Sequence, residues 1–105
     1  MDTITAEALK ELLDRDPDVT LLDVRETWEY DICRIPGSIN IPMSEIAGRI
    51  DELDEEESTI VICHHGARSL QVAGYMEATG FSKVVNLDDG IAGWARTVDP
   101  DMPQY

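Results

Sequence analysis

The sequence predicts an α/β domain with a mostly parallel sheet, and three observations carry that prediction. Short apolar runs rich in Val, Ile and Leu stand at 20–24, 59–62 and 83–87, each nearly continuous in hydrophobicity, as strands covered on both faces are. Between them lie segments whose apolar residues recur at helical spacing, and Gly, Pro and Asp mark the junctions. Strand and helix alternate in this way along all 105 residues, a length that suits one domain and places a site at the carboxyl ends of the strands.

Each element has a local cause. Thr5 is an N-cap for a helix over 6–14, where Leu9, Leu12 and Leu13 share a face, and Asp16-Pro17-Asp18 stops it. The strand at 20–24 ends among Asp23 and Arg25, and a short helix follows over 26–30. Ile35-Pro36-Gly37-Ser38 reads as a turn before a brief strand that Pro42 ends. Ser44 is placed to cap a helical stretch in which Ile46, Ile50 and Leu53 fall on one face. The acidic run 54–57 reads as a solvated loop. The strand at 59–62 delivers Cys63, and a helix over 69–79 follows, with Leu70, Ala73 and Gly74 as its sheet-facing stripe and Gly80 as its stop. A strand at 83–87, a turn at Asp88-Asp89-Gly90 and a helix at 91–95 complete the order, before a tail at 99–105 that packs through Tyr105.

Composition narrows the function. Twenty-two Asp and Glu against eight Lys and Arg leave a formal net charge of -14, with Lys10 and Lys83 the only lysines. Such a surface repels nucleic acid and anionic membranes, which demand clustered cations, so neither is expected as a partner. Solubility is its ordinary use, and adaptation to high salt is the sharper alternative. The absence of a long apolar run and of a secretory leader reads as a soluble chain with the cytoplasm as its default compartment. Two cysteines, Cys33 and Cys63, are too few and too distant for a disulfide scaffold or a zinc ribbon.

The chemistry concentrates in Cys63-His64-His65-Gly66-Ala67-Arg68-Ser69. A thiol between the end of a buried strand and the start of a helix faces backbone N–H groups and the positive end of the helix dipole, which stabilise an anion there. Gly66 gives the loop the freedom to curl its amides into a nest, and Arg68 adds a fixed positive charge that lowers the thiol pKa and can meet a substrate oxyanion. Ser69 suits a helix cap, and its hydroxyl alternatively reaches the sulfur. His64 and His65 line the mouth, where imidazoles tune the charge below about neutral pH. Three consecutive ligands are poor metal geometry, so no metal is expected. Cys33 lacks a following helix start; it reads as structural, with a resolving thiol as the other reading.

Taken together, Leu22-Asp23-Val24-Arg25, Trp28-Glu29-Tyr30, the run from Ile35 to Pro42, the loop from Cys63 to Ser69 and Asp89-Gly90-Ile91-Ala92-Gly93-Trp94 resemble the rhodanese family of sulfurtransferases over nearly the whole chain. The resemblance implies a rhodanese-like fold, a central five-stranded parallel sheet flanked by helices, with Cys63 as the catalytic residue. It implies a reaction in two halves, in which Cys63 takes a sulfane sulfur from a donor such as thiosulfate and passes it to cyanide or a thiol, with no cofactor. Asp23 and Arg25 would be polar supports near the site. Partners are then a small-molecule sulfur donor and acceptor, or a protein thiol or persulfide, and the chain is expected as a monomer or weak homodimer. Two departures stand out: Cys33-Arg34 where the family commonly has Gly-His, and Asp89 where it commonly has Gly. Phosphatases of the same fold use a loop longer by one residue than the four, His64 to Ala67, found between Cys63 and Arg68. A protein-fed sulfur carrier is the alternative from another class.

Overall fold

The computed structural model describes residues 2–105. Five strands form one sheet: β1 (Asp2–Ile4), β2 (Thr20–Asp23), β3 (Ile39–Asn40), β4 (Thr59–Ile62) and β5 (Val84–Leu87). Their order is β1-β5-β4-β2-β3, and every neighbouring pair is parallel. The helices are α1 (Ala6–Arg15), α2 (Thr27–Ile32), α3 (Ile46–Arg49, between 3₁₀ turns at Met43–Glu45 and Ile50–Glu52), α4 (Ala67–Ala78) and α5 (Gly90–Thr97). No helix among the described residues is long and apolar enough to cross a membrane.

The central strand β4 is buried at all four positions, so its alternating side chains feed two separate cores. Ile60 and Ile62 join Leu21, Leu87, Leu9, Ile91 and Trp94 on the side covered by α1 and α5. Val61 and Cys63 join Leu22, Val24, Ile46, Val72, Ala73 and Met76 on the side covered by α3 and α4. That parity decides where the thiol goes: one residue past the strand, Cys63 belongs to the α4 face.

Thr5 caps α1 as expected, its hydroxyl accepting from the Ala8 N–H at 3.2 Å. Other details differ from the sequence reading. The edge strand β1 was not foreseen, because three residues carry too little periodicity to stand out. Ser44 caps nothing; it lies inside a 3₁₀ turn that follows Pro42. Helix α4 starts two residues early, and its buried face is Ser69, Val72, Ala73 and Met76. Leu70 is instead 47% exposed and Gly74 half-buried, because the face turned to the sheet is the one that carries Ser69, Val72, Ala73 and Met76, so only Ala73 of the expected stripe is buried. The acidic run 54–57 is exposed, as expected.

One close approach joins α5 to the end of β4. Ile91 N–H donates to the Cys63 carbonyl at 2.9 Å and Ala92 N–H to the His64 carbonyl at 3.0 Å. Gly90 makes this possible: it sits at φ +62°, and a Cβ there would collide with both carbonyls. Gly48 is the contrast, a helical position with open space around its Cα. Gly90→Ala should therefore cost about 2–4 kcal/mol through backbone strain and overpacking, whereas Gly48→Ala should be neutral or stabilising by about 0.5–1 kcal/mol. Urea unfolding midpoints of the two variants against the parent check this contrast.

Candidate functional site

Cys63 follows β4 directly and is 1% exposed. The chain then curls through His64 and His65 to Gly66, whose φ of +105° turns it back into α4. A Cβ at Gly66 would strike the Asp88 carbonyl, so only glycine fits this turn. The curl brings the Gly66 N–H to 3.0 Å from the Cys63 Sγ. Ser69 Oγ reaches the same sulfur at 3.3 Å from the first turn of α4. Gly66, and not Ser69, occupies the cap position of α4; the serine hydroxyl is spent on the sulfur and its surroundings.

Those surroundings form a closed circuit of buried polar groups. Asn86, on β5 beside β4, donates from Nδ2 to the Gly66 carbonyl at 3.3 Å, which fixes the orientation of its amide. Its Oδ1 then faces Ser69, and the serine hydroxyl makes a short hydrogen bond to it. Gly66 N–H, Sγ, Ser69 Oγ, Asn86 and the Gly66 carbonyl thus close on one another. A serine hydroxyl has one hydrogen, so it can donate to Asn86 while the sulfur carries its own proton and turn to Sγ once that proton leaves. An anion formed on the sulfur would then hold two directed donors.

The remaining loop residues line the mouth. His64 is half-buried and His65 exposed, and their rings stack at 4.0 Å. Tyr105 stacks on the other face of His64 at 4.3 Å and meets Trp28 edge-on at 5.6 Å, so four rings run in sequence along the rim. Burial, followed by the proximity of His65, pushes the His64 pKa below its ordinary value and keeps the ring neutral at neutral pH. Ala67 is exposed. Among the described residues no group of three or more His, Cys, Asp or Glu could hold a metal ion.

Arg68 is not the free cation that its position in the loop predicts. Its Nη1 and Nη2 lie 2.7 and 2.9 Å from the two carboxylate oxygens of Glu29, a bidentate pair. Glu29 is 4% exposed and is held further by the Tyr105 hydroxyl at 2.7 Å and by the Glu26 N–H at 2.9 Å. The Arg68 hydrogen bonds hold the Glu29 pKa down at about 2. Because the folded value lies below the unfolded one, the stability this carboxylate adds is present above its ordinary pKa and is lost as pH falls toward about 2.

Asp23 and Arg25 stand as a fully buried pair, Nη2 to Oδ2 at 2.7 Å, with Nε also on Asp23. Arg25 spends its other hydrogens on the Cys33 carbonyl at 2.6 Å, the Glu29 carbonyl at 3.3 Å and the Tyr105 hydroxyl at 3.1 Å. The pair therefore staples the end of β2 to α2 and to Tyr105. Cys33 is buried, with its sulfur 3.7 Å from Arg25 Nη1, and both cysteines are free thiols.

Sequence reasoning passed over Glu29 and Asn86. Asn86 had a signal, a lone amide within the apolar strand Val84–Leu87. Glu29 had a weaker one, its place three residues into α2 opposite Glu26, where the two close a reciprocal capping box.

Ser69→Ala tests the circuit. It strands the buried Asn86 Oδ1 and should lower stability by about 1–3 kcal/mol, and it should slow alkylation of Cys63 by iodoacetamide at neutral pH about tenfold through loss of one donor to an anionic sulfur. Chemical denaturation and peptide-resolved alkylation rates read the two effects separately.

Comparison with known proteins accords with this geometry. Residues 5–97 match the family model described as a rhodanese-like domain. A Bacillus subtilis protein named as a sulfur carrier, YrkF, is 42% identical over 91 residues, which is 87% of this chain and 49% of that protein. A protein of Allochromatium vinosum named sulfurtransferase is 34% identical over 96 residues, covering 91% of this chain and 90% of its own. The crystal structure of SSP1007 from Staphylococcus saprophyticus superimposes with a TM-score of 0.86 at 33% identity, over 93% of this chain and 97% of that one. The chain spans about half the length of YrkF and about a quarter of some other relatives. From the sheet order, the thiol loop and the match across residues 5–97 together, the chain belongs to the rhodanese-like domain family.

Proposed function

We propose that this protein is a sulfurtransferase that carries a sulfane sulfur as a persulfide on Cys63. The observation that supports this most directly is the placement of the sulfur: one residue past β4, with Gly66 N–H at 3.0 Å and Ser69 Oγ at 3.3 Å. Two donors on one buried sulfur favour an anion, and both thiolate and persulfide are anions. Relatives named sulfurtransferase and sulfur carrier support the same reading.

In the first half-reaction the Cys63 thiolate attacks the outer sulfur of the donor. A bond forms between Sγ and that sulfur, the donor's own sulfur–sulfur bond breaks, and its electron pair leaves with sulfite when the donor is thiosulfate or with a thiolate when the donor is a persulfide. In the second half-reaction cyanide or an acceptor thiolate attacks the outer sulfur, and the electron pair of the persulfide's sulfur–sulfur bond returns to Sγ. No redox cofactor is needed, since sulfur oxidation states are exchanged only between donor, enzyme and acceptor. The loop residues His64, His65, Gly66, Ala67, Arg68 and Ser69 would surround the travelling sulfur, while Asp23 and Arg25 hold the frame beneath it. A reducing compartment such as the cytoplasm suits two free thiols.

The relative named as a sulfur carrier supports a second reading, in which a protein thiol rather than a small molecule feeds or drains Cys63. The two differ in turnover: a carrier holds a stable persulfide and discharges slowly to cyanide.

Incubation with a sulfane-sulfur donor should add one sulfur atom to the intact mass, and cyanide should then remove it as thiocyanate. Cys63→Ser should lose both the added sulfur and the turnover, to background. Cys33→Ser should retain both. Transfer surviving in Cys63→Ser contradicts the assignment of the nucleophile.

A further inference from the structure

The cations beside the loop are all engaged. Arg68 faces Glu29 through both of its terminal nitrogens, and Arg25 is fully buried against Asp23. His64 is held neutral by burial and by His65. Glu29 cannot readily turn aside to release Arg68, because it is buried and also takes hydrogen bonds from Tyr105 and from the Glu26 backbone. Freeing the guanidinium would strand an ionised carboxylate out of water, a costly step. The rest of the chain deepens the negative field, with a net charge of -14.

Thiosulfate is a dianion, and its attack by a thiolate brings three negative charges together. A donor of that charge gains most where an unpaired guanidinium supplements the loop amides. The rim here offers something else: Trp28, 60% exposed, then Tyr105, His64 and His65 in ring-to-ring contact. Such a surface suits the organic part of a donor better than the oxyanion end of thiosulfate.

We propose that Glu29 selects the sulfur donor, by occupying Arg68, so that Cys63 is loaded from organic persulfides (R–S–SH) in preference to thiosulfate. The inference rests on the sulfurtransferase reading above and names its donor class. The step balances as the Cys63 thiolate plus R–S–SH giving the anionic Cys63 persulfide and the thiol R–SH, the donor's proton leaving with the departing sulfur. The new bond is from Sγ to the outer sulfur, and the broken one is the donor's sulfur–sulfur bond. Glu29 touches no reacting atom; it is a positioning residue that acts through Arg68.

The test is Glu29→Gln, which keeps the shape and removes the charge that competes for Arg68. With cysteine persulfide and thiosulfate as donors, the parent should show the higher kcat/KM for the persulfide, and Glu29→Gln should raise the thiosulfate-to-persulfide ratio about tenfold, chiefly through a lower KM for thiosulfate. Alkylation of Cys63 gives a readout independent of sulfur transfer: the ratio of rates with anionic iodoacetate and neutral iodoacetamide should rise by a similar factor in the variant, where a merely structural change would slow both reagents together. Should the variant not fold, the parent carries the test, since Cys63 should disfavour iodoacetate relative to iodoacetamide more strongly than free cysteine does. Thiosulfate as the preferred donor of the parent, or alkylation ratios unmoved while both donors load Cys63, overturns the role of Glu29. Failure of both donors to load Cys63 removes the sulfurtransferase reading, and the donor assignment with it.

Discussion

The carbonyl groups of Cys63 and His64 point into the first turn of α5, where Ile91 and Ala92 N–H groups capture them, and the rest of the site depends on that capture. A peptide whose carbonyl is held on one side presents its N–H to the other, so anchoring the carbonyls outward frees the loop to turn amides toward the sulfur. The Gly66 carbonyl is likewise held away from the sulfur, by Asn86 Nδ2 and the Leu70 N–H. Two glycines permit this arrangement from opposite sides: Gly66 turns beneath the Asp88 carbonyl, and Gly90 lets α5 approach the strand end. The parallel sheet places β5 next to β4, which brings Asn86 and α5 to the same loop. Sheet order thus becomes site chemistry through backbone hydrogen bonds.

A second layer of interactions sets the charge of the mouth. Asp23 with Arg25 and Glu29 with Arg68 form two ion pairs that share Tyr105 through its hydroxyl. Burial is the main reason that the phenol's pKa is pushed up to about 12, so Tyr105 stays a neutral hydrogen-bonding bridge between the two pairs. The thiol loop therefore sits beside balanced charges within a strongly acidic molecule. In such a setting the stabilisation of an anionic sulfur falls to local donors, Gly66 N–H and Ser69 Oγ, rather than to a free guanidinium.

Much of this was legible in the sequence. The apolar runs located β2, β4 and β5, because strands covered on both faces cannot carry many polar residues, and the strand–cysteine–glycine–arginine order located the loop. The start and inward face of α4 were only partly legible: Ser69 resembles a cap, but a glycine at positive φ starts the helix without one, and of the expected stripe Ala73 is buried together with Ser69, Val72 and Met76, whereas Leu70 is exposed. The partner of Arg68 was hidden for a different reason. Glu29 lies 39 residues away, and nothing local in α2 announces which cation a buried acid will meet. Asn86 could have been suspected, as a polar residue inside an apolar strand must satisfy its amide somewhere. The packing of Tyr105 was foreseen in outline, whereas its two hydrogen bonds required the fold.

A crystal structure of the protein after treatment with a sulfane-sulfur donor tests the central claim most directly, that the loop from Cys63 to Ser69 holds an anionic sulfur with directed donors. The account predicts a second sulfur bonded to Cys63 Sγ, seated inside the curl of the loop and within hydrogen-bond distance of its backbone N–H groups, with the Glu29–Arg68 pair intact. A sulfur added to Cys33, or one on Cys63 that points away from the loop amides, would contradict it.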